Sequence, residues 1–269
     1  MKQLVISKAN DYVFNSLGAA FSLSFQSILW DQDKKNAYEM WEDFHPDILN
    51  IHYTQFSPIL LELIKEYKIT TISYGYNQHN ISNELVCIPP SSTQTLAHIN
   101  CTVQSYCLKH AANILQINKG FRHKQYVVDI AAMMMKESPT ILKKLEKLPH
   151  TINIFSLCNQ IKSPYFVGNI ELKDYRHVIK SCKINLDIDG IFKYDYSFNK
   201  CFYINTIPDI DIFKYYLSED SRKYRNNLIE ENYELSRNET YLHRAKNLLD
   251  LLQLTEESNI IQDYITKLC

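Results

Sequence analysis

Residues 48–74 read ILNIHYTQFSPILLELIKEYKITTISY, and this stretch decides the fold. Its first five residues, 48–52, form a short apolar run of the kind found in buried strands. A helix pattern then begins at Ser57-Pro58, with proline at a first-turn position, where its missing N–H costs nothing. A second apolar and β-branched run follows at 69–74. The stretch therefore predicts a strand–helix–strand unit, which is the building block of a parallel sheet.

The same alternation extends toward the N-terminus. Short apolar runs predict strands at 3–6 and 27–30, and apolar residues at helical spacing predict helices at 13–24 and 35–44. The chain up to residue 74 then reads β-α-β-α-β-α-β. Alternation of this kind favours a doubly wound parallel sheet with helices on both faces.

The second half repeats the alternation less regularly. The pattern predicts a strand at 111–117, helices at 125–135 and 140–147, a strand at 152–157, a turn at 166–168, a helix at 173–181, a strand at 184–188 and a final helix at 255–269. Within 125–135, the run Met133–Met135 is interpreted as a core-facing part of the helix. We therefore expect an α/β fold with two Rossmann-like, doubly wound lobes in a compact molecule.

Composition excludes several classes of protein. The chain has only 5 glycines and contains neither GxGxxG nor GxxxxGK[ST], which disfavours an NAD(P)-binding Rossmann enzyme and a P-loop NTPase. The formal net charge of −1 does not favour nucleic acid or an anionic membrane as a partner. Hydrophobic residues make up 45%, so the chain can bury a sizeable core.

Cysteines and the N-terminus indicate a compartment. The 7 cysteines are odd in number and no pair has CxxC spacing, which is typical of reduced thiols in a cytosolic protein. The N-terminus lacks the pattern of a signal peptide. No apolar run approaches the roughly 18 residues that cross a membrane. We expect a cytoplasmic protein without a transmembrane segment.

A basic turn is the first candidate ligand site. Gly120, Arg122 and Lys124 follow a predicted strand and open a predicted helix. The N-terminus of a helix presents unpaired N–H groups and a partial positive charge, which suit a phosphate, and arginine can hold a diphosphate with two parallel hydrogen bonds. The alternative is a solvated basic turn.

Polar residues at the ends of predicted strands are further candidates, because ligands of open α/β sheets bind at the carboxyl ends of the strands. Asn159 follows one strand and can hydrogen-bond a base or ribose, although an ordinary polar loop also fits it. Asp189 follows another in Asp187-Ile188-Asp189 and can bind a ribose diol. A metal role for this acidic pair is disfavoured because short acidic motifs recur by chance.

A family resemblance connects these features. From Phe166 to Leu252, a glycine-containing turn, a helix, a strand, an irregular bridge and two helices joined at NETYLHR (238–244) follow in order. That order resembles the C-terminal, nucleotide-sugar-binding half of group-1-like glycosyltransferases with the GT-B fold. Residues 41–73 also look like part of the N-terminal half of such enzymes. The resemblance implies a GT-B-like division into an acceptor-side domain 1–111, a donor domain 112–254, and a helix 255–269 that packs back on the first domain.

The resemblance also implies an activity. It is the transfer of a sugar from a nucleotide-sugar donor to an unknown acceptor, with Arg122 and Lys124 stabilising the leaving diphosphate and no metal or other cofactor required. Residues 192–203 depart from the family, because they lack its glycine-rich turn and the glutamate that grips the donor ribose. Asp195 or Asn199 takes that place in this interpretation, and Asp195 is our candidate.

The acceptor side requires a proton acceptor. Asp11 lies in the first β–α loop, and His45, His52 and His79 lie near the ends of predicted elements. Histidine titrates near neutral pH. We assign the catalytic role to Asp11, with His79 second. Two alternatives stay open: a catalytically degenerate GT-B-like binding protein, and a phage-type nucleic-acid base glycosyltransferase, which would need a basic cleft.

Overall fold

A computed structural model describes residues 2–9, 11–75, 81–88, 104–113, 128–134, 138–148, 152–156, 160–170, 174–188, 190–207 and 209–268. The strands are β1 Gln3–Ser7, β2 Gln26–Trp30, β3 Ile48–His52, β4 Thr70–Tyr74, β5 Glu84–Ile88, β6 Gln104–Cys107, β7 Val128–Met133, β8 Ile152–Ser156, β9 Phe166–Asn169, β10 Cys182–Asp187 and β11 Tyr203–Ile204. The helices are α1 Tyr12–Phe21, α2 Ala37–Phe44, α3 Pro58–Tyr67, α4 Pro139–Leu145, α5 Tyr175–Lys180, α6 Lys193–Phe198, α7 Ile210–Leu217, α8 Arg222–Ser236, α9 Tyr241–Leu251 and α10 Thr255–Leu268.

The chain divides into two compact units. The first consists of Met1–His110 and Tyr241–Cys269, and the second of Ala111–Thr240. Each unit contains one sheet in which the paired strands run parallel. The predicted α/β class is therefore confirmed. The division predicted from the sequence assigned residues up to 254 to the second domain, whereas α9 belongs to the first unit in the structure.

The first unit has a 6-stranded sheet in the order β2-β1-β3-β4-β5-β6. The order reverses between β1 and β3, because β2 lies on one side of β1 and all later strands lie on the other. On one face, strand residues such as Leu49 and Ile51 pack against Met40 of α2 and Leu60 of α3. On the other face, α1 covers β1 and β3, and α9 packs on α1.

Local chemistry explains where the helices of the first unit begin. The Asn36 side chain and Glu39 form a reciprocal capping box at the start of α2. The Ser57 hydroxyl accepts from the Leu60 N–H at the start of α3, and Pro58 occupies the first turn as predicted. Lys68 ends α3 in the left-handed conformation at φ 53°. These caps set the loops that lead into and out of the sheet.

The second unit has a 5-stranded sheet in the order β11-β10-β7-β8-β9, which reverses between β7 and β10. One face packs in an apolar core that includes Ile130, Ile154 and Leu186 from the strands and Leu142 and Phe213 from α4 and α7. Helices α5 and α6 lie on the opposite face, where the Tyr175 and Phe192 rings are 5.3 Å apart. The sheet is thus covered by helices on both faces.

Two predicted elements are wrong. The predicted helix 125–135 is not formed, since Val128–Met133 is the central strand β7, paired with both β8 and β10. Met133, interpreted as part of a helix, is therefore a strand residue. The predicted turn at 166–168 is the edge strand β9. Of the strand predicted at 111–117, Ala112 makes only an isolated bridge to Thr240, and residues 114–117 lie outside the described part of the chain.

Candidate functional site

The carboxyl edge of the first sheet brings together polar and titratable side chains. In open parallel sheets the crevice for a ligand lies at this edge, where the strand order reverses. The reversal here lies between β1 and β3. Asp11 follows β1, His52 is the last residue of β3 and Tyr74 is the last residue of β4.

Asp11 begins helix α1. Its backbone is extended, and its Oδ1 accepts from the Phe14 N–H at 2.8 Å. A carboxylate at an N-cap satisfies one of the unpaired N–H groups of the first turn and interacts favourably with the helix dipole. The cap therefore holds the negative charge of Asp11 in the first β–α loop, which is where the sequence predicted it.

His52 is held by its backbone and by its ring. The His52 N–H donates to Ser7 Oγ at 3.1 Å, which joins the ends of β3 and β1. Its ring Nδ1 lies 2.8 Å from Thr54 Oγ1, and the Thr54 N–H donates to the same nitrogen at 3.5 Å. The Thr54 N–H favours the neutral tautomer with its proton on Nε2, in which the Thr54 hydroxyl also donates to Nδ1.

Aromatic rings surround His52. Its ring centroid lies 5.8 Å from that of Phe14, 4.8 Å from Tyr53 and 5.7 Å from Tyr74. Burial among these rings lowers the pKa of His52, while the nearby Asp11 carboxylate acts in the opposite direction. Burial also raises the pKa of Tyr74, and the Asp11 charge raises it further. The site thus combines a carboxylate, a neutral imidazole and a protonated phenol.

A cavity lies at the same edge of the sheet. Its volume is about 450 Å³, and it is lined by Lys8, Ala9, Asp31, Gln32, Asp33 and Gln55. These residues follow the ends of β1, β2 and β3. The cavity therefore lies where the strand order reverses between β1 and β3. Lys8 Nζ donates to Asp31 Oδ2 at 2.9 Å, and Gln32 Nε2 donates to the Gln55 carbonyl at 2.8 Å.

The second unit places its acidic residues differently. Asp187 ends β10 with 0% of its surface exposed, and Asp195 on α6 is 2% exposed. Asp187 Oδ1 accepts from the Phe192 N–H at 3.2 Å, and Asp195 Oδ1 accepts from the Asn113 N–H at 2.8 Å. Burial, followed by the charges of these two carboxylates, raises the pKa of Tyr196. This cluster links α6 to the end of β10 inside the unit.

The predicted site residues divide into three groups. The structure places Asp11 beside His52 and Tyr74 at the edge of the first sheet. It places Asp195 inside the second unit, with its carboxylate on a backbone N–H. The others lie outside the described residues: His79, Gly120, Arg122, Lys124, Asn159 and Asp189.

Two structural results bear on the donor-site prediction. The anion seat at Gly120 required a helix over 125–135, and that premise is wrong because Val128–Met133 is a strand. Within the described ranges, no three His, Cys, Asp or Glu side chains are grouped so that they could hold a metal ion.

The sequence did not predict several residues of this site. Tyr74, Lys8, Asp31 and Asp33 are not among the site residues predicted from the sequence. One signal was available, because each of the strands β1 and β2 is followed directly by charged residues, at Lys8 and at Asp31. In a parallel sheet, such positions share one edge.

Comparison of the sequence with protein-family models and with curated proteins finds no match in either. In the part of the chain that the structure describes, every helix is too short or too polar to traverse a lipid bilayer.

Proposed function

We propose that this protein is a glycosyltransferase with two Rossmann-like lobes in a GT-B-like arrangement, which moves a sugar from a nucleotide-sugar donor to an acceptor. The observation that carries the proposal is the path of the chain. Each unit is built on one parallel sheet with a single reversal of strand order, and the chain returns from the second unit to the first through α9 and α10. The resemblance drawn from the sequence implies a final helix, 255–269, that packs back on the first domain of such enzymes.

The first unit is the acceptor side in this proposal. Asp11 is the proton acceptor, since its charge is held by the α1 cap and it lies beside the carboxyl ends of β1 and β3. His52 is neutral at neutral pH because burial lowers its pKa, so its Nε2–H can donate to a hydroxyl group of the acceptor. Thr54 positions the ring through Nδ1.

The second unit is the donor side. We expect the nucleotide at the carboxyl edge of its sheet, near the reversal between β7 and β10. The N-terminus of a helix over 125–135 has no part in the proposal, because β7 occupies that stretch. Asp195 is likewise no longer proposed as the ribose ligand, since its carboxylate is buried on the Asn113 N–H.

The test separates donor binding from catalysis. Thermal-shift and calorimetric titrations of the full chain with UDP-, GDP-, ADP- and dTDP-glucose measure binding, and release of the nucleoside diphosphate measures turnover. Asp11→Asn keeps an oxygen that can cap α1, so the fold and donor binding should survive. Turnover should fall about 10²–10⁴-fold because the proton acceptor is lost.

Asp263→Asn is the matched control, since Asp263 is an exposed carboxylate on α10 and belongs neither to the Asp11 cluster nor to the cavity lining. This variant should bind and turn over like the unmodified protein. Absence of binding to all four nucleotide sugars, together with absence of turnover, would refute the proposed function. Equal turnover in Asp11→Asn and Asp263→Asn would remove Asp11 from the mechanism.

A second candidate function is a catalytically inactive binding protein on the same scaffold. The burial of Asp187 and Asp195 favours it, because the carboxylates at the end of β10 and on α6 both accept from backbone N–H groups inside the unit. The stretch 192–203 also contains no glutamate that could replace them. Saturable nucleotide binding without diphosphate release, in the presence of a broad set of acceptors, would support this candidate over the transferase.

A further inference from the structure

We propose that the cavity at the ends of β1, β2 and β3 binds a neutral, polyhydroxylated ligand of the monosaccharide class. Its volume of about 450 Å³ lies in the range of small-molecule sites. The lining combines the ammonium, carboxylate and amide groups of five side chains with Ala9, and its exposed surface is about equally polar and apolar. A ligand that matches this lining carries several hydrogen-bonding groups together with some apolar C–H surface, as a sugar ring does.

The charged side chains of the cavity lining disfavour an anionic ligand. The Lys8 ammonium is already neutralised by Asp31, at 2.9 Å, and Lys34 approaches the same carboxylate only at 4.0 Å. Asp33 adds a second carboxylate to the lining, and no described ammonium group forms an ion pair with it. A phosphate or diphosphate would be repelled by Asp33 and would have to compete with Asp31 for Lys8.

Hydrogen-bonding capacity points to hydroxyl groups. The Asp33 carboxylate and the Gln32 side-chain oxygen accept no hydrogen bond from the described residues, while the Lys8 ammonium has donors beyond the one directed at Asp31. A hydroxyl group both donates and accepts, so adjacent hydroxyls of a sugar can donate to Asp33 or Gln32 and accept from Lys8. The hydrogen bonds of these hydroxyls with the Asp33 carboxylate and the Lys8 ammonium are stronger than the one with the neutral Gln32 amide.

The turn that presents these groups is already ordered. The Asp33 N–H donates to Asp31 Oδ1 at 3.2 Å, and the N–H groups of Lys34 and Lys35 both donate to the Asp31 carbonyl at 3.1 Å. Gln32 is tied to Gln55 across the cavity. A ligand therefore meets a lining whose backbone needs little further ordering, which favours binding.

The role of this ligand rests on the proposed function: in a transferase, the sugar bound here is the acceptor. Short chain segments connect the cavity with the acid–base cluster, because Ala9 lies two residues before Asp11 and Gln55 ends the turn Tyr53–Gln55 that follows His52. The binding claim itself depends only on the cavity.

Saturation-transfer NMR on the full chain tests the binding claim, with glucose, galactose, mannose and N-acetylglucosamine as probes and inorganic phosphate as the anionic probe. At least one sugar should bind saturably and phosphate should not displace it. Asp33→Asn should weaken sugar binding about tenfold, which corresponds to one hydrogen bond to a charged group. Asp263→Asn should bind like the unmodified protein, and unchanged melting temperatures would show that both variants are folded.

The proposal is overturned if none of the four sugars binds saturably, if phosphate displaces the sugar, or if Asp33→Asn binds as tightly as Asp263→Asn. The outcomes also separate this proposal from the transferase. Sugar binding in a protein that binds no nucleotide sugar would support the cavity assignment and sink the transferase. Nucleotide-sugar turnover without binding of any of these sugars would support the transferase and refute the cavity assignment.

Discussion

The backbone N–H of Asn113 donates to Oδ1 of Asp195 at 2.8 Å, although 82 residues separate the two in sequence. Both residues are buried, at 3% and 2% exposed. The bond ties the first residues of the second unit to helix α6. It also commits a carboxylate that the sequence interpretation had assigned to the donor ribose.

Removal of this carboxylate should destabilise the protein. In Asp195→Ala the buried Asn113 N–H loses its acceptor, which costs about 1–3 kcal/mol. Asp195→Asn retains an oxygen at the same place and should lose less. Urea unfolding monitored by circular dichroism measures both. A fully stable Asp195→Ala protein with weakened nucleotide binding would instead restore Asp195 as a donor ligand.

Gly75 should not tolerate a side chain. Its φ of +95° is unfavourable for other residues, and a Cβ there would lie 2.3 Å from Cδ1 of Tyr53. Gly75→Ala should therefore lower the free energy of unfolding by more than the roughly 1–3 kcal/mol of backbone strain alone. Urea denaturation gives the difference.

Gly190→Ala is the matched control, because Gly190 also has a positive φ, of +69°, but no heavy atom lies within 4 Å of the point that an added Cβ would occupy. Gly190→Ala should lower the free energy of unfolding only by the cost of backbone strain. The double variant Gly75→Ala/Tyr53→Ala relieves the collision, so its loss should be smaller than the sum of its two single losses. Equal losses in Gly75→Ala and Gly190→Ala would show that Tyr53 does not restrict this position.

His52 should make stability depend on pH. Because burial lowers its pKa below the ordinary value of about 6.5, the unfolded chain binds a proton at this residue more readily than the folded chain. The stability that the neutral His52 ring contributes is complete above about pH 6.5, and it is lost as the pH falls toward the pKa of His52 in the folded protein. The melting temperature should thus decline less between about pH 7 and pH 5 in His52→Gln than in the unmodified protein.

His45→Asn is the control for this measurement. His45 is exposed at the end of α2, and its φ of 43° is a conformation that asparagine tolerates. Its profile should follow that of the unmodified protein. A His52→Gln profile that coincides with both would contradict the assigned shift.

Cysteine labelling should follow burial. Burial raises the pKa of the Cys87 thiol to about 12 and that of Cys182 to about 11, so both are poor nucleophiles in the folded protein. Cys107 is exposed on β6. Brief treatment with iodoacetamide, followed by peptide mass spectrometry, should find Cys107 modified and the other two protected until denaturant is added. Modification of Cys87 at the rate of Cys107 would contradict its burial.

Local patterns were sufficient for much of the first unit. Strands β1 to β4 and helices α1 to α3 were predicted close to their observed limits, because each has a short apolar run or a helical stripe with clear end signals such as Ser57-Pro58. The same reasoning failed at β7. Its residues VDIAAM include good helix formers, yet the segment is the central strand of its sheet, paired on both sides. Pairing with β8 and β10 outweighs the helix propensity of these residues.

The sequence by itself determined the α/β class, the first alternating elements and the position of Asp11 after the first strand. Only the tertiary structure decided that His52 and Tyr74 lie near Asp11, that a cavity lies at the ends of β1, β2 and β3, and that Asp195 lies inside the second unit. The reason is physical. Which segments become strands depends on neighbouring residues, whereas the choice of strands that lie side by side depends on pairing between distant segments and on burial of both faces of each sheet.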